Sequence, residues 1–253
     1  MRIRLLFAIL LLWLVEADVF QLPQLHKHLI VKRHCWTHTM ITSAEFKKQI
    51  GKAFGSEMRK LGFKGTGFEY TKETDNFLYA IFIEGSRWGG QCTVGAAVHP
   101  KQIDRNSGGV FDFKKLKIYD YEFKLSLWDY ARGERWEYRD SLEDNLNTLH
   151  KIIDRIKNKA IPTFSLFETN PNILDEFETS DLDNFHEIFT RKTGLSIATT
   201  EIRFAWAMTL IFENSNPTKA KQFAKYGYSK LSKEDKFFGK LDFKKVLREN
   251  NGA

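Results

Sequence analysis

Between Thr42 and Ile83 the hydrophobic spacing of this chain changes from a helical period to a strand period, and that change restricts the fold to a mixed α and β architecture. Thr42-Ser43-Ala44-Glu45 has the form of a capping box, in which the Thr42 hydroxyl accepts from the Glu45 backbone N–H while the Glu45 carboxylate reaches back. Phe46, Ile50, Phe54, Met58 and Leu61 come next at intervals of three and four, and Gly62 suits a left-handed C-terminal cap. An amphipathic helix of about five turns is predicted. From Gly67 the period is two: Phe68 and Tyr70 alternate with polar residues, Thr74-Asp75-Asn76 is turn chemistry, and Phe77 to Ile83 is aromatic and β-branched. The turn Gly85-Ser86-Arg87-Trp88-Gly89-Gly90 leads into a further strand from Gln91 to Val98, which ends at Pro100. Glycine-rich Arg105 to Val110 separates this hairpin from Phe113 to Trp128, which is expected to supply at least one more strand.

Ser141-Leu142-Glu143-Asp144 caps a second helix with the stripe Leu142, Leu146, Leu149, Ile153 and Ile156, expected to cover one sheet face beside the first helix. Beyond Pro162 the pattern gives three further helical segments: Ser180 to Phe189, Thr200 to Glu213, and Pro217 to about Leu231 with Asn216 as N-cap. The stretch Phe204 to Phe212 is apolar on nearly all sides and is expected to pack centrally. The expected class is α+β: an antiparallel sheet of three to five strands with two long amphipathic helices packed on it, followed by a helical C-terminal extension. The chain divides on this reading into an N-terminal extension (residues 1–39), an α+β domain (40–167) and a helical part (168–253) packed on or beside it. With 42% hydrophobic and 28% charged residues in 253, it has the composition of an ordinary globular protein.

Arg2 and Arg4 precede an eleven-residue apolar run, Leu5 to Val15, and Val15-Glu16-Ala17 fits a cleavage site, which is signal-peptide anatomy. The run is shorter than the roughly 20 apolar residues that a spanning helix needs, so no stable membrane span is expected. The stretch QLPQLHKHLIVKRHCWTHT has neither a helical nor a strand period and leads to a second methionine, Met40, just before the first helix start. A start near Met40 and a cytoplasmic location are favoured; the alternative is export through a signal cleaved after Ala17. The leader holds His26, His28, His34, Cys35 and His38, but no turn chemistry surrounds them, and no metal site is expected. Cys35 and Cys92 make no disulfide framework.

The segments TSAEFKKQIGKAF and LGFKGTGFEYTKETDNFLYAIFIEGSRWGGQCTVGAAVHPK, with the later Trp136, Leu146 and Ile161-Pro162-Thr163-Phe164, resemble the bacterial domain-of-unknown-function family 4304. The resemblance covers residues 40 to about 167. It implies an α+β fold, a bacterial origin and a protein that starts near Met40, and it names no reaction.

The chain has no G-x-S-x-G elbow, no G-x-x-x-x-G-K-[ST] loop, no H-E-x-x-H helix and no C-x-x-C pair, so no cofactor is expected and catalysis is the weaker reading. Glu84, Arg87, His99 and Asp104 lie at strand ends and are the candidates for a small-ligand or acid-base site at one sheet edge, although turns are polar in any case. The Gly85 to Gly90 turn is either an anion-binding backbone nest or a plain hairpin loop. Nucleic acid is disfavoured despite a net charge of +7. Lys64-Gly65-Thr66-Gly67-Phe68-Glu69-Tyr70 is a defective copy of an RNA-binding consensus, with Thr66 in place of a stacking aromatic. The most distinctive block is acidic: Glu168, Asp175, Glu176, Glu178, Asp181, Asp183 and Glu187, with no Lys or Arg from Ile161 to Thr190. Asp175, Glu176 and Glu178 are the candidates for holding a basic protein partner, as in an immunity-like binding module; the alternative is docking of the chain's own basic tail.

Overall fold

The computed structural model describes residues 41–106, 109–127 and 136–249; the signal-like run and the leader histidines lie outside them. The first helix, α1 (Ser43–Lys60), begins as its capping box requires. Thr42 donates its backbone N–H to Glu45 Oε2 at 2.8 Å, and Glu45 N–H reaches Thr42 Oγ1 at 3.2 Å. Phe46, Ile50, Phe54 and Met58 are fully buried, and Gly62 takes φ 82° just past the helix.

The chain then forms β1 (Lys64–Thr66), β2 (Glu69–Glu73), β3 (Phe77–Gly85) and β4 (Gln91–Pro100), followed by a small separate hairpin of β5 (Arg105–Asn106) and β6 (Gly109–Val110). Strands β7 (Phe123–Ser126), β8 (Trp136–Glu137) and β9 (Ser196–Ile197) complete the main sheet. It is antiparallel throughout, with the order β1-β2-β3-β4-β7-β9 and β8 on β4. β7 and β8 share one edge of β4: β7 pairs with Gly95 to Val98 and β8 with Gln91 and Cys92. Seven strands exceed the three to five expected from sequence. The surplus comes from pieces of two or three residues, β1, β8 and β9, which are too short to show a period of two.

The stretch from Phe113 supplies the further strand expected of it, Phe123–Ser126, in its second half. Phe113–Lys115 and Ile118–Asp120 are 3-10 turns. They lay Phe113, Leu116, Ile118 and Tyr121 over Leu78, Ala80 and Ala97, so the alternation of rings and lysines belongs to a strap across one sheet face.

On the other face lies α2 (Leu142–Arg155), continued by a π-turn (Ile156–Ala160) and α3 (Ile161–Glu168). The Ile161 N–H bonds back to Ile156 O, five residues away, and this wider turn accommodates Pro162, which has no N–H to contribute to a regular helix. Leu142 departs from the expected stripe at 52% exposed, and Leu146 is only partly buried; Leu149, Ile152, Ile153 and Ile156 carry the packing. α2 runs beside α1 in the same direction, since the Asn145 amide donates to Gln49 and Lys157 meets Glu57 at 2.8 Å. The core between helices and sheet is aromatic: Phe54 meets Phe68 and Tyr70 edge-on, and Phe164 lies 4.6 Å from Tyr79.

The remaining helices are α4 (Phe185–Thr193), α5 (Glu201–Phe212), α6 (Pro217–Ser229) and α7 (Lys240–Glu249). They belong to the same core: Phe204 of α5 packs on Phe123 of β7, and β9 joins the outer edge of β7 through Leu125↔Ile197. Polar ties reinforce this contact. Arg203 grips the buried Glu122 carboxylate with two hydrogen bonds, of 2.8 and 2.9 Å, and Asp242 accepts from Trp206 Nε1 and Arg105. Among the described residues no helix is long and apolar enough to cross a membrane.

Candidate functional site

The β3–β4 turn is clamped to the start of α1. Ser43 Oγ donates to Ser86 O at 2.7 Å, and Gly90 N–H reaches Ile41 O at 3.3 Å. Within the turn, Ser86 N–H bonds Gln91 O, Gly89 N–H bonds Ser86 O, and Trp88 N–H bonds Ser86 Oγ. Four amides of the turn therefore have acceptors inside the protein, which favours the hairpin-loop reading over an anion nest. Gly89 sits at φ 78°, and a Cβ there would lie 2.6 Å from Ile41 O, so the position needs glycine on two counts. From this fixed turn Trp88 projects at 76% exposed, with the Arg87 guanidinium 4.7 Å from its ring centroid.

The sheet separates the sequence candidates into two pairs. Glu84 faces Thr93 near the turn, whereas His99 faces Leu78. Glu84 and Leu78 are six steps apart along β3, roughly 20 Å at about 3.4 Å per residue. Arg87 stays at the end with Glu84. Asp104 follows β4 at the His99 end, where its carboxylate pairs with Arg105 at 3.0 Å.

His99 is fully buried, and both ring nitrogens are engaged: Nε2 donates to Ile103 O at 2.7 Å, and Nδ1 accepts from Glu122 N–H at 3.2 Å. The rings of Phe111, Phe113 and Tyr121 surround it. Burial disfavours the imidazolium and pulls the pKa down to about 4, against a smaller opposing effect of the Ile103 carbonyl. The side chain is a neutral tie between β4 and the strap.

The acidic block faces its own lysines. Lys219, with a side chain only 10% exposed, donates to Asp175 O at 2.6 Å and pairs with Glu178 at 3.2 Å. Glu176 lies 3.7 Å from Lys192, and Asp183 lies 3.3 Å from Lys230. Asp175 and Asp181 close capping boxes on the backbone N–H groups of Asn172 and Glu178. Glu168 accepts from Thr74 and Tyr79, tying the end of α3 to β3.

A cleft of about 770 Å³ opens between β8 and α2. One wall is Trp136, Glu137 and Arg139; the other is the outer row of α2 and the π-turn, including Asn147, Thr148, Lys151, Asp154, Asn158 and Lys159. The walls are cross-braced. Thr148 Oγ1 donates to Glu137 O at 2.8 Å, and the buried Asn145 side chain bonds both backbone groups of Arg139. Arg155 anchors the far end by donating from Nε to Leu127 O at 3.1 Å. The buried Trp136 indole N–H has no acceptor among the described residues.

Residues 54–166 match the family model described as Domain of unknown function (DUF4304). The match runs from the middle of α1 almost to the end of α3, so the DUF4304 segment contains the clamped turn, β8 and the whole cleft, while α4 to α7 follow it. No curated protein and no solved structure matches the chain. The cleft residues of the DUF4304 segment carry no local motif: their convergence depends on β8 pairing with β4 and on α2 lying beside it, neither of which a sequence window reports. Among the described residues, no group of three or more His, Cys, Asp or Glu could hold a metal ion.

Proposed function

We propose that this chain is a non-catalytic binding protein that takes a segment of another polypeptide in the cleft between β8 and α2. The observation that carries this reading is the chemistry of the cleft walls. Sites for small ligands are enclosed and mostly apolar, whereas Trp136 is the one large apolar side chain in this lining. Nucleic acid is opposed by the carboxylates of Glu137, Asp144 and Asp154 in the same lining. Charges of both signs, with the amides of Asn147 and Asn158, suit a polypeptide backbone bearing charged side chains.

Catalysis has less support, because the buried His99 already uses both ring nitrogens and Glu84 sits at the other end of the hairpin. An immunity-like role is the form of the binding reading that the sequence favours. Recognition through Asp175, Glu176 and Glu178 has the weaker case, since Glu176 and Glu178 already face Lys192 and Lys219. The test is a photo-crosslinking amino acid at Lys151, an exposed position of the cleft wall, in cells that produce the protein. The expected product is a polypeptide adduct of defined mass that disappears when Asn147→Trp fills the cleft. A small metabolite retained in native mass spectrometry and displaced by N147W, with no polypeptide adduct, would overturn the proposal.

A further inference from the structure

We infer that Trp88 and Arg87 form the anchor of this interface, engaging an apolar side chain and a neighbouring carboxylate on the same polypeptide that enters the cleft. The inference rests on the reading of the cleft as a polypeptide site. Trp88 is the most exposed aromatic residue among the described ones, and its backbone is held by the Ser86, Gln91 and Ile41 hydrogen bonds rather than free to collapse onto the surface. Trp and Arg are the side chains most enriched where binding energy concentrates. A platform fixed before binding loses little conformational entropy when a partner arrives.

Two further observations specify the partner. Arg87 has no carboxylate within ion-pair distance among the described residues, and its guanidinium lies against the indole, so the pair presents an apolar face beside an unmatched cation. An apolar side chain next to an Asp or Glu matches both, because the carboxylate can take the guanidinium in paired hydrogen bonds. The turn is also continuous with the cleft: Tyr138 N–H donates to Gly90 O at 3.0 Å, and Gln91 pairs with Glu137, whose strand forms the cleft wall. One extended segment lying along β8 would therefore meet the Arg87–Trp88 pair at one end and the α2 wall at the other. A base stacked on Trp88 with its phosphate on Arg87 is the competing chemistry, and the cleft carboxylates oppose its continuation.

The experiment uses the full chain, immobilised and panned against a displayed library of random dodecapeptides, with single-stranded oligonucleotides of random sequence as a parallel probe. The expected result is a peptide consensus with an acidic residue beside an aromatic or aliphatic one. Its affinity should fall about 30-fold in Trp88→Ala and severalfold in Arg87→Ala, with a weaker salt dependence in the latter. Both variants should keep the wild-type melting temperature, since neither side chain is buried. Peptides that bind W88A as well as wild type but lose binding in N147W would overturn the anchor and leave the cleft reading standing. Peptides that need Trp88 but ignore N147W would overturn the cleft reading and the single shared segment, and would leave the Arg87–Trp88 pair as a peptide site of its own. No enrichment, or binding indifferent to both variants, would overturn both, and oligonucleotide binding that needs Trp88 in the absence of any peptide would overturn the partner class.

Discussion

The two ends of the β3–β4 hairpin have similar sequence credentials and receive opposite treatment from the fold. At one end His99 is wrapped by Phe111, Phe113 and Tyr121 with both nitrogens bonded; at the other, Arg87 and Trp88 stand out from a turn fixed to α1. The strap of residues 111–122 makes the difference, because it crosses only the His99 end of the sheet. A polar residue at a strand end thus becomes a buried structural tie or stays exposed according to what the chain lays over it afterwards.

The comparison breaks most readily at the closed end. His99→Ala should destabilise by about 3 to 5 kcal/mol, because it leaves the Glu122 N–H and Ile103 carbonyl unmet and opens a cavity among three rings. A loss near zero in equilibrium denaturation would show that the strap does not depend on the imidazole.

The same burial predicts an acid-sensitive window. With a folded pKa of about 4 against 6.5, the unfolded chain binds the proton more readily, so this contribution is complete above pH 6.5 and is lost as pH falls toward 4. Its size is roughly 3 kcal/mol from the two pKa values. Proton NMR should find the His99 imidazole still neutral at pH 5.5, and a titration centred near 6.5 would contradict the enclosure.

At the open end, Gly89→Ala should cost about 1 to 2 kcal/mol, since it places a Cβ against Ile41 O at positive φ. Faster amide exchange at Gly90 in that variant would report release of the turn from α1. Trp88→Ala should change stability by less than about 0.5 kcal/mol, as exposed side chains contribute little to folding. A larger loss in a thermal melt would place Trp88 in the fold rather than on a recognition surface and remove the contrast between the ends.

The sequence disclosed what repeats and hid what converges. α1 was legible because Thr42, Glu45 and the Phe46 stripe all point to one helix, and β3 with β4 was legible because the aromatic and β-branched run of β3 is followed by a glycine-rich turn and a second run of similar length, the two pairing at nine positions. β8 and β9 were not, since two residues cannot establish a period. α3 was hidden by Pro162, which a regular helix would not accept but the π-turn does. α7 lies beyond a polar connection, and its Phe243 and Val246 become core positions only through contact with α6 and α5. Of the candidate groups, Arg87 was visible as a turn residue beside Trp88, but its continuity with Arg139 and the cleft arises only after β8 pairs with β4.

The pairing of Leu125 with Ile197 joins positions 72 residues apart, which gives the sheet a late edge. At roughly 5 to 20 residues per second of synthesis, the outer side of β7 waits about 4 to 14 s for its partner strand to be made. Through that interval the nascent sheet ends in an unpaired strand of the kind that templates association with other chains. Lys124, in the middle of β7, places a charge on this edge. A charged side chain at this position opposes such association until β9 pairs with β7 and Phe204 packs on Phe123.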